Sequence, residues 1–208
     1  SNNKKVTKKL QSLYEPLIKK GAKFFSTNRR CAELIKYASN AFLATKISYI
    51  NEIANLCEKT GVNVEDVSIG IGLDQRIGSR FLRAGPAYGG SCFPKDTKAI
   101  TVTGDLYNTD LSIIKTVIKS NEKRRMLLTK KIKEILSYKI KSKKIAFLGV
   151  TFKPNTDDMR QSTSLSMIPH LQKKGAKINY YEPTGKKKEF SKLKNVSFCK
   201  NIDEACNK

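Results

Sequence analysis

The sequence of 208 residues has no apolar run near the roughly 18 residues that a membrane-spanning helix needs. Residues 1–9 are polar and basic with no apolar centre, so no signal peptide is visible. There is one histidine, His170, and no Cys-x-x-Cys pair among the five cysteines, Cys31, Cys57, Cys92, Cys199 and Cys206. Too few soft donors are clustered to expect a zinc site. A Ser-His-Asp triad would have to use His170, which lies in an apolar helical pattern and reads as a packed or surface histidine. No Gly-x-Gly-x-x-Gly occurs, so the fingerprint of a dinucleotide-binding turn is missing. The odd cysteine count and the missing signal peptide point to a reducing cytoplasm.

Acidic residues are scarce as well. Asp and Glu total 18 against 41 Lys and Arg, a net charge of +23. That excess raises a nucleic-acid partner. Only eight of the cations are arginine, and the lysines are spread along the chain without interleaved aromatics. Nucleic-acid sites favour arginine forks, so that partner is disfavoured. The densest run, Lys186-Lys187-Lys188, reads as a solvated turn.

What is present is a succession of helical patterns followed by an alternation of strand and helix. Residues 4–20 show helical apolar spacing that Gly21 ends, and residues 22–25 read as a short strand. A long helical pattern covers 31–59, apolar around much of its circumference, which marks a helix buried or shared with another subunit. Its small residues, Ala38, Ser39, Ala41 and Ala44, permit close approach of a neighbour. Shorter helices are expected over 64–71 and 96–103, and a further one over 106–138. Between them, residues 70–94 form a glycine-rich loop region containing Arg76, Arg80 and Arg83, the kind of segment that carries sites. Ile145-Ala146-Phe147-Leu148-Gly149-Val150 is a short apolar run of a buried parallel strand. A helix over 162–174 and a second strand over 177–181 complete a βαβ unit. The stretch from 196 to 208 ends where a further strand or helix should begin. A βαβ unit does not complete a sheet alone, so the chain is expected to be cut at this end. Glu182 ends the second strand, either mimicking a ribose-binding acid or, the preferred reading, as a surface turn residue before Pro183.

The most specific segment is Gly85-Pro86-Ala87-Tyr88-Gly89-Gly90-Ser91-Cys92-Phe93-Pro94-Lys95-Asp96. Paired glycines before a cysteine allow a tight turn and close approach to a ligand. Nearby cations favour a thiolate. On these grounds alone a reactive Cys92 stands only slightly above a buried structural cysteine. Asp96 reads either as an acid near the sulfur or as a cap of the helix expected to begin there. Lys36 and Asn40, at i and i+4, share one helix face.

Gly89 to Asp96 resembles the nucleophile motif of the UDP-glucose/GDP-mannose dehydrogenase family. Ala32-Glu33-Leu34-Ile35-Lys36-Tyr37-Ala38-Ser39-Asn40-Ala41-Phe42-Leu43-Ala44 resembles that family's central helix, and Phe152-Lys153-Pro154-Asn155-Thr156-Asp157-Asp158-Met159-Arg160 resembles the entry to its C-terminal domain. The three matches stand in the family's order. The resemblance implies a mainly α central dimerisation domain, 29–140, followed by a partial α/β Rossmann-like domain, 141–208, with 1–28 as the trailing edge of an N-terminal NAD-binding domain. It implies oxidation of the C6 alcohol of a nucleotide sugar to a carboxylate with two NAD. Cys92 would be the nucleophile, passing through a thiohemiacetal and a thioester. Lys36 and Asn40 match the pair that stabilises the oxyanion, and Asp96 matches the acid that orients water. Phe81, Leu82, Arg83, Tyr88 and Gly89 match the loop that holds the sugar diphosphate. Arg76 matches an arginine reaching the substrate from the neighbouring subunit, which implies a homodimer built on the central helices. Lys153 matches a nucleotide-sugar contact. Arg160 matches an NAD contact, with pairing to Asp157 or Asp158 as its other reading.

Phe93 and the Arg76-Ile77-Gly78…Phe81-Leu82 stretch resemble the members acting on UDP-glucose best, with GDP-mannose as the runner-up substrate. Ser91 stands where members acting on UDP-N-acetylmannosamine usually have histidine. The missing glycine fingerprint implies that most of the cofactor domain is not in this chain, and that the chain does not turn over alone. A non-catalytic dimerisation scaffold is the reading from a different class.

Overall fold

The computed structural model describes residues 3–207; Ser1 and Asn2, part of the basic start of the chain, lie outside the described residues. Two helical segments open the chain, α1 (Lys4–Leu13) and α2 (Glu15–Ile18). One continuous helix over 4–20 is therefore corrected to two. Pro16 is the reason, since proline lacks the N–H of a helix interior and settles in the first turn of α2. The strand expected over 22–25 is not formed. Phe25 is exposed and the segment pairs with no strand.

The dominant element is α3 (Arg29–Thr60), about 48 Å long at 1.5 Å per residue. Asn28 caps its start by accepting from the Cys31 N–H at 2.8 Å, and Gly61 ends it in the left-handed conformation, φ 72°. Next come α4 (Val64–Gly72), α5 (Phe93–Leu106) and α6 (Ser112–Ile135). Helix α5 starts three residues before the expected 96, because Pro94 fits its first turn. Helix α6 starts later than expected, after a turn through residues 107–111 with Asn108 at φ 52°. Helices α3, α5 and α6 pack on one another around Ala44, Tyr88 and Val117.

The second unit holds a three-stranded parallel sheet, β1 (Lys144–Leu148), β2 (Lys177–Tyr181) and β3 (Val196–Cys199), in the order β1-β2-β3. Helix α7 (Ser164–Lys173) makes the β1-to-β2 crossover, and α8 (Ile202–Cys206) follows β3. Residues alternate faces along a strand. Ile178 and Tyr180 of β2 are buried with Ile168, Leu171, Val150 and Phe190, while Asn179 on the other face donates to the Ala205 carbonyl of α8. His170, in the last turn of α7, is half-buried. Its pKa is lowered, first by burial and then by Lys133, Lys174 and Lys173, consistent with a packed histidine.

Two surface assignments are corrected here. Lys187 is buried: its N–H donates to the Tyr180 hydroxyl at 3.0 Å and its Nζ to Thr184 Oγ1 at 2.6 Å, so only Lys186 and Lys188 of that run are exposed. Glu182 is likewise no surface residue. One carboxylate oxygen accepts from the N–H groups of Val150 and Thr151, at 2.9 and 3.3 Å, and the other from the N–H and hydroxyl of Thr184. Glu182 thereby clasps the ends of β1 and β2 together. Burial pushes its carboxyl up, yet these four hydrogen bonds outweigh burial and hold it below the ordinary 4.5.

A Glu182→Gln substitution places N–H groups against an amide N–H. It is expected to destabilise the α/β unit by about 1–3 kcal/mol, read from urea unfolding at pH 7. Because the folded pKa is depressed, the native contribution is complete above the ordinary value and is lost as pH falls through the lower folded one. The gap between variant and parent should narrow below pH 4.5.

Candidate active site

The site is organised around a buried carboxylate. Asp96 lies in the first turn of α5 and is 1% exposed. Its N–H donates to the Cys92 carbonyl at 2.8 Å, so it sits one turn inside the helix. The alternative that it caps the start of the helix is corrected, because Cys92 holds that boundary position and makes no side-chain cap bond. The Asp96 side chain instead reaches α3. Lys36 Nζ and Asn40 Nδ2 both donate to Oδ2, at 2.7 and 2.6 Å, while Lys95 Nζ bonds to Oδ1. Burial pushes the carboxyl up, and the bonds from Lys36, Lys95 and Asn40 outweigh it, lowering its pKa from 3.8 to about 2. The pattern i, i+4 on α3 thus meets one oxygen on α5. Lys36 remains 58% exposed in its side chain, so one side of the cluster opens to solvent.

Cys92 is exposed at the head of α5, with Ser91 Oγ 3.7 Å from its sulfur. A helix start stabilises negative charge that develops beside it. Lys95 has its pKa raised first by Asp96, with Cys92 a lesser contributor. For Arg160 the first cause is Asp158, and Cys92 contributes again.

The loop leading to Cys92 is pinned by residues that sequence reasoning did not single out. Asn51 Oδ1 of α3 accepts from the Gly85 N–H at 2.8 Å. Asn121 of α6 accepts from the Tyr88 N–H at 2.8 Å and donates to the Tyr88 carbonyl at 3.1 Å. Arg124 Nε donates to the Gly85 carbonyl at 2.9 Å. Asparagine is a poor residue in a helix interior, and that was the signal available in Asn51 and Asn121. Phe81 adopts φ 65°, strained for a residue with a side chain, and its ring packs 6.1 Å from that of Phe93. Leu82 and Tyr88 are buried at 2% and 5% exposure, so their side chains anchor the loop, and the Leu82 carbonyl accepts from Ser68 Oγ at 2.7 Å. Arg83 is exposed and Gly89 is buried.

The remaining predicted residues stand in their own turns. Arg76 is held by Asp74, Nη2 to Oδ2 at 2.6 Å, in a turn whose carbonyls of Ile77 and Gly78 accept from Lys46 Nζ. Lys153 is exposed, its Nζ 5.4 Å from the centre of the Phe152 ring. Arg160 pairs bidentately with Asp158, Nε to Oδ1 at 3.0 Å and Nη2 to Oδ2 at 2.8 Å, yet keeps 68% of its side chain exposed. The end of β2 does not fit a dinucleotide's ribose, since the Glu182 carboxylate is committed to its own backbone. The exposed Arg160 guanidinium fits one contact to an anionic cofactor. Among the described residues no cluster of metal-binding side chains exists, and no helix is long and apolar enough to cross a membrane.

Residues 30–123 match the central domain of the UDP-glucose/GDP-mannose dehydrogenase family, and residues 146–208 match that family's UDP binding domain. The chain is 47% identical over 207 residues to a UDP-glucose 6-dehydrogenase of Rickettsia felis, covering 99% of this chain and 46% of that protein. It is 50% identical over 176 residues to one of Rhizobium meliloti, covering 85% of this chain and 40% of the relative. A solved UDP-glucose dehydrogenase from Pyrobaculum islandicum superposes with a TM-score of 0.87 at 34% identity, over 96% of this chain and 45% of that one. The chain therefore spans about half the length of the curated relatives it matches.

Asp96→Asn keeps the shape of the buried side chain and removes its charge, leaving Lys36 and Lys95 without their anion. The expected loss is about 1–3 kcal/mol at pH 7, measured by urea unfolding. The folded pKa is depressed, so this contribution is complete above 3.8 and is lost as pH falls toward about 2. Parent and variant should converge over that interval.

Proposed function

Because the chain belongs to the UDP-glucose/GDP-mannose dehydrogenase family, we propose that it carries the nucleophile and nucleotide-sugar half of an enzyme that oxidises UDP-glucose to UDP-glucuronate. The observation that carries this reading is Cys92 at the head of α5, one turn from a buried carboxylate on which Lys36 and Asn40 converge. UDP-glucose is preferred to GDP-mannose because relatives at 47% and 50% identity bear the UDP-glucose name.

In this reading the Cys92 sulfur forms a bond to the C6 aldehyde carbon, and the carbonyl oxygen gains a proton to give a thiohemiacetal. Lys36 and Asn40 stabilise the oxyanion on the way. An ammonium has three N–H donors and an amide two, so each keeps a donor beyond the one given to Asp96. Loss of a hydride from the same carbon, with the hydroxyl proton released to solvent, leaves a thioester. Asp96, ionised throughout the neutral range, orients the water that adds to it. The carbon–sulfur bond then breaks and returns the Cys92 thiol with a carboxylate product. NAD, when bound, supplies the hydride acceptor for both oxidations. The backbone of residues 81–90 and the exposed Arg83 and Lys153 hold the sugar diphosphate, and Arg160 meets the cofactor. With no Gly-x-Gly-x-x-Gly among them, the 208 residues alone are expected not to turn over. The division at 28 and 140 separates the cofactor-domain edge, the helical domain and the α/β domain. A reducing cytoplasm suits an enzyme whose nucleophile is a free thiol.

A homodimer through α3 belongs to the same reading. Ile35, Phe42, Tyr49 and Leu56 recur every seven residues and are all exposed, an apolar stripe along one side of the helix. A second copy of α3 covers such a stripe and brings Arg76 of one subunit toward the site of the other. Replacing Phe42 and Tyr49 together by Glu should convert a dimer to monomers in sedimentation velocity.

For the chemistry, the protein carrying this chain together with a dinucleotide-binding domain is expected to form two NADH per UDP-glucose. Cys92→Ala should reduce net formation of UDP-glucuronate to background, assayed by absorbance at the nicotinamide band and by product analysis. Undiminished two-NADH turnover in that variant would remove the role of Cys92.

A further inference from the structure

The two units meet at Arg125, a residue that the chemistry above does not use. Arg125 of α6 is half-buried between them. Its Nη2 donates to the Tyr88 carbonyl at 3.3 Å and to the Gln161 carbonyl at 3.1 Å, and its Nη1 donates to Gln161 Oε1 at 3.2 Å. Tyr88 lies four residues before the nucleophile and Gln161 directly follows Arg160. Next to this fork the Gly90 N–H donates to the Arg160 carbonyl at 2.8 Å.

The approach is close. A Cβ on Gly89 would stand 2.4 Å from the Gln161 carbonyl oxygen, and one on Gly90 would stand 2.6 Å from the Phe152 ring. The paired glycines before Cys92, expected to let a ligand approach, are thus required where the α/β unit lies against the loop. Gln161 itself adopts φ 56°, a conformation that residues with side chains hold only when their surroundings impose it. Arg125 Nε is shut away from solvent without an acceptor among the described residues. A guanidinium gives up that bond only where its far end is held, and here both terminal nitrogens are taken by the two units. Lysine, a single point of charge, does not supply two such donors in a plane.

We propose that Arg125 is a positioning residue, a fork that joins the nucleophile loop to the segment carrying Lys153 and Arg160, so that the α/β unit sets where Cys92 stands. This rests on the functional reading given above for Cys92, Lys153 and Arg160. The fork acts through the Tyr88 and Gln161 backbone and need not touch substrate. A ligand gripping residues 153–160 would tighten the same contact, so binding in one unit and nucleophile placement in the other are coupled.

The test has two arms. In the 208-residue chain, hydrogen exchange of the Gly90 amide reads the contact without any catalysis. Arg125→Ala should accelerate it at least tenfold while amides in the middle of α3 and in β2 keep their parental rates. Arg125→Lys, which preserves bulk and charge, should accelerate it less. It carries the measurement should the alanine variant fail to fold. In the protein that also has the dinucleotide-binding domain, Arg125→Ala should lower kcat roughly tenfold, as expected for a misplaced reacting group, with KM for UDP-glucose within twofold and partial recovery in Arg125→Lys. Unchanged Gly90 exchange in both variants overturns the fork. Accelerated exchange with an unchanged kcat overturns the positioning role. Absence of UDP-glucose oxidation in the parent protein defeats the functional reading and with it the positioning role, whereas the exchange arm still decides the contact.

Discussion

A carboxylate removed from water needs donors in proportion to the solvation it loses, and Asp96, 1% exposed, draws them from two elements. Lys36 and Asn40 come from α3 and Lys95 from α5. Sliding α3 along α5 by one turn would strand the charge. The pairing therefore sets the register of the two helices. It also fixes the start of α5, and with it Cys92, one turn from the cluster. Charge compensation here settles the packing of the two helices.

A second layer of polar contacts carries that order outward. Asn51, Asn121 and Arg124 satisfy the backbone groups of Gly85 and Tyr88, so a loop without regular structure is held on both sides by helices. Buried Leu82 and Tyr88 add apolar anchors. At the far side, Glu182 does for the α/β unit what Asp96 does for the helical one: a shielded carboxylate ties β1 to β2 through backbone donors. The segment from Phe152 to Gln161 then docks on the glycine pair. Each carboxylate sits where two pieces of chain must keep a fixed relation.

Much of this was legible in the chain. The helical spacing of α3 and the strand–helix–strand order around β2 locate both elements, because the apolar pattern of an element follows from the face it buries. The segment from Gly89 to Asp96 stood out by its resemblance to the family motif, and it leads the loop into α5. The misreadings share a cause. The strand expected at 22–25 has apolar residues but no neighbour to pair with, and strands exist only in pairs. Glu182 and Lys187 read as surface residues because charge alone predicts exposure, and their partners, Val150, Thr151 and Tyr180, are distant in sequence or lie across a turn.

The sequence by itself located most of the elements, and its resemblance to the family's motifs picked out Cys92, Lys36, Asn40 and Asp96 as the residues to examine. All of these depend on spacing within one segment. Only the tertiary structure decided that Lys36 and Asn40 share one oxygen of Asp96, that Asn51, Asn121 and Arg124 hold the loop, and that Gly89 and Gly90 face the α/β unit. Those relations join residues dozens of positions apart, and distance along a chain carries no information about which donors a buried acceptor will find when it folds.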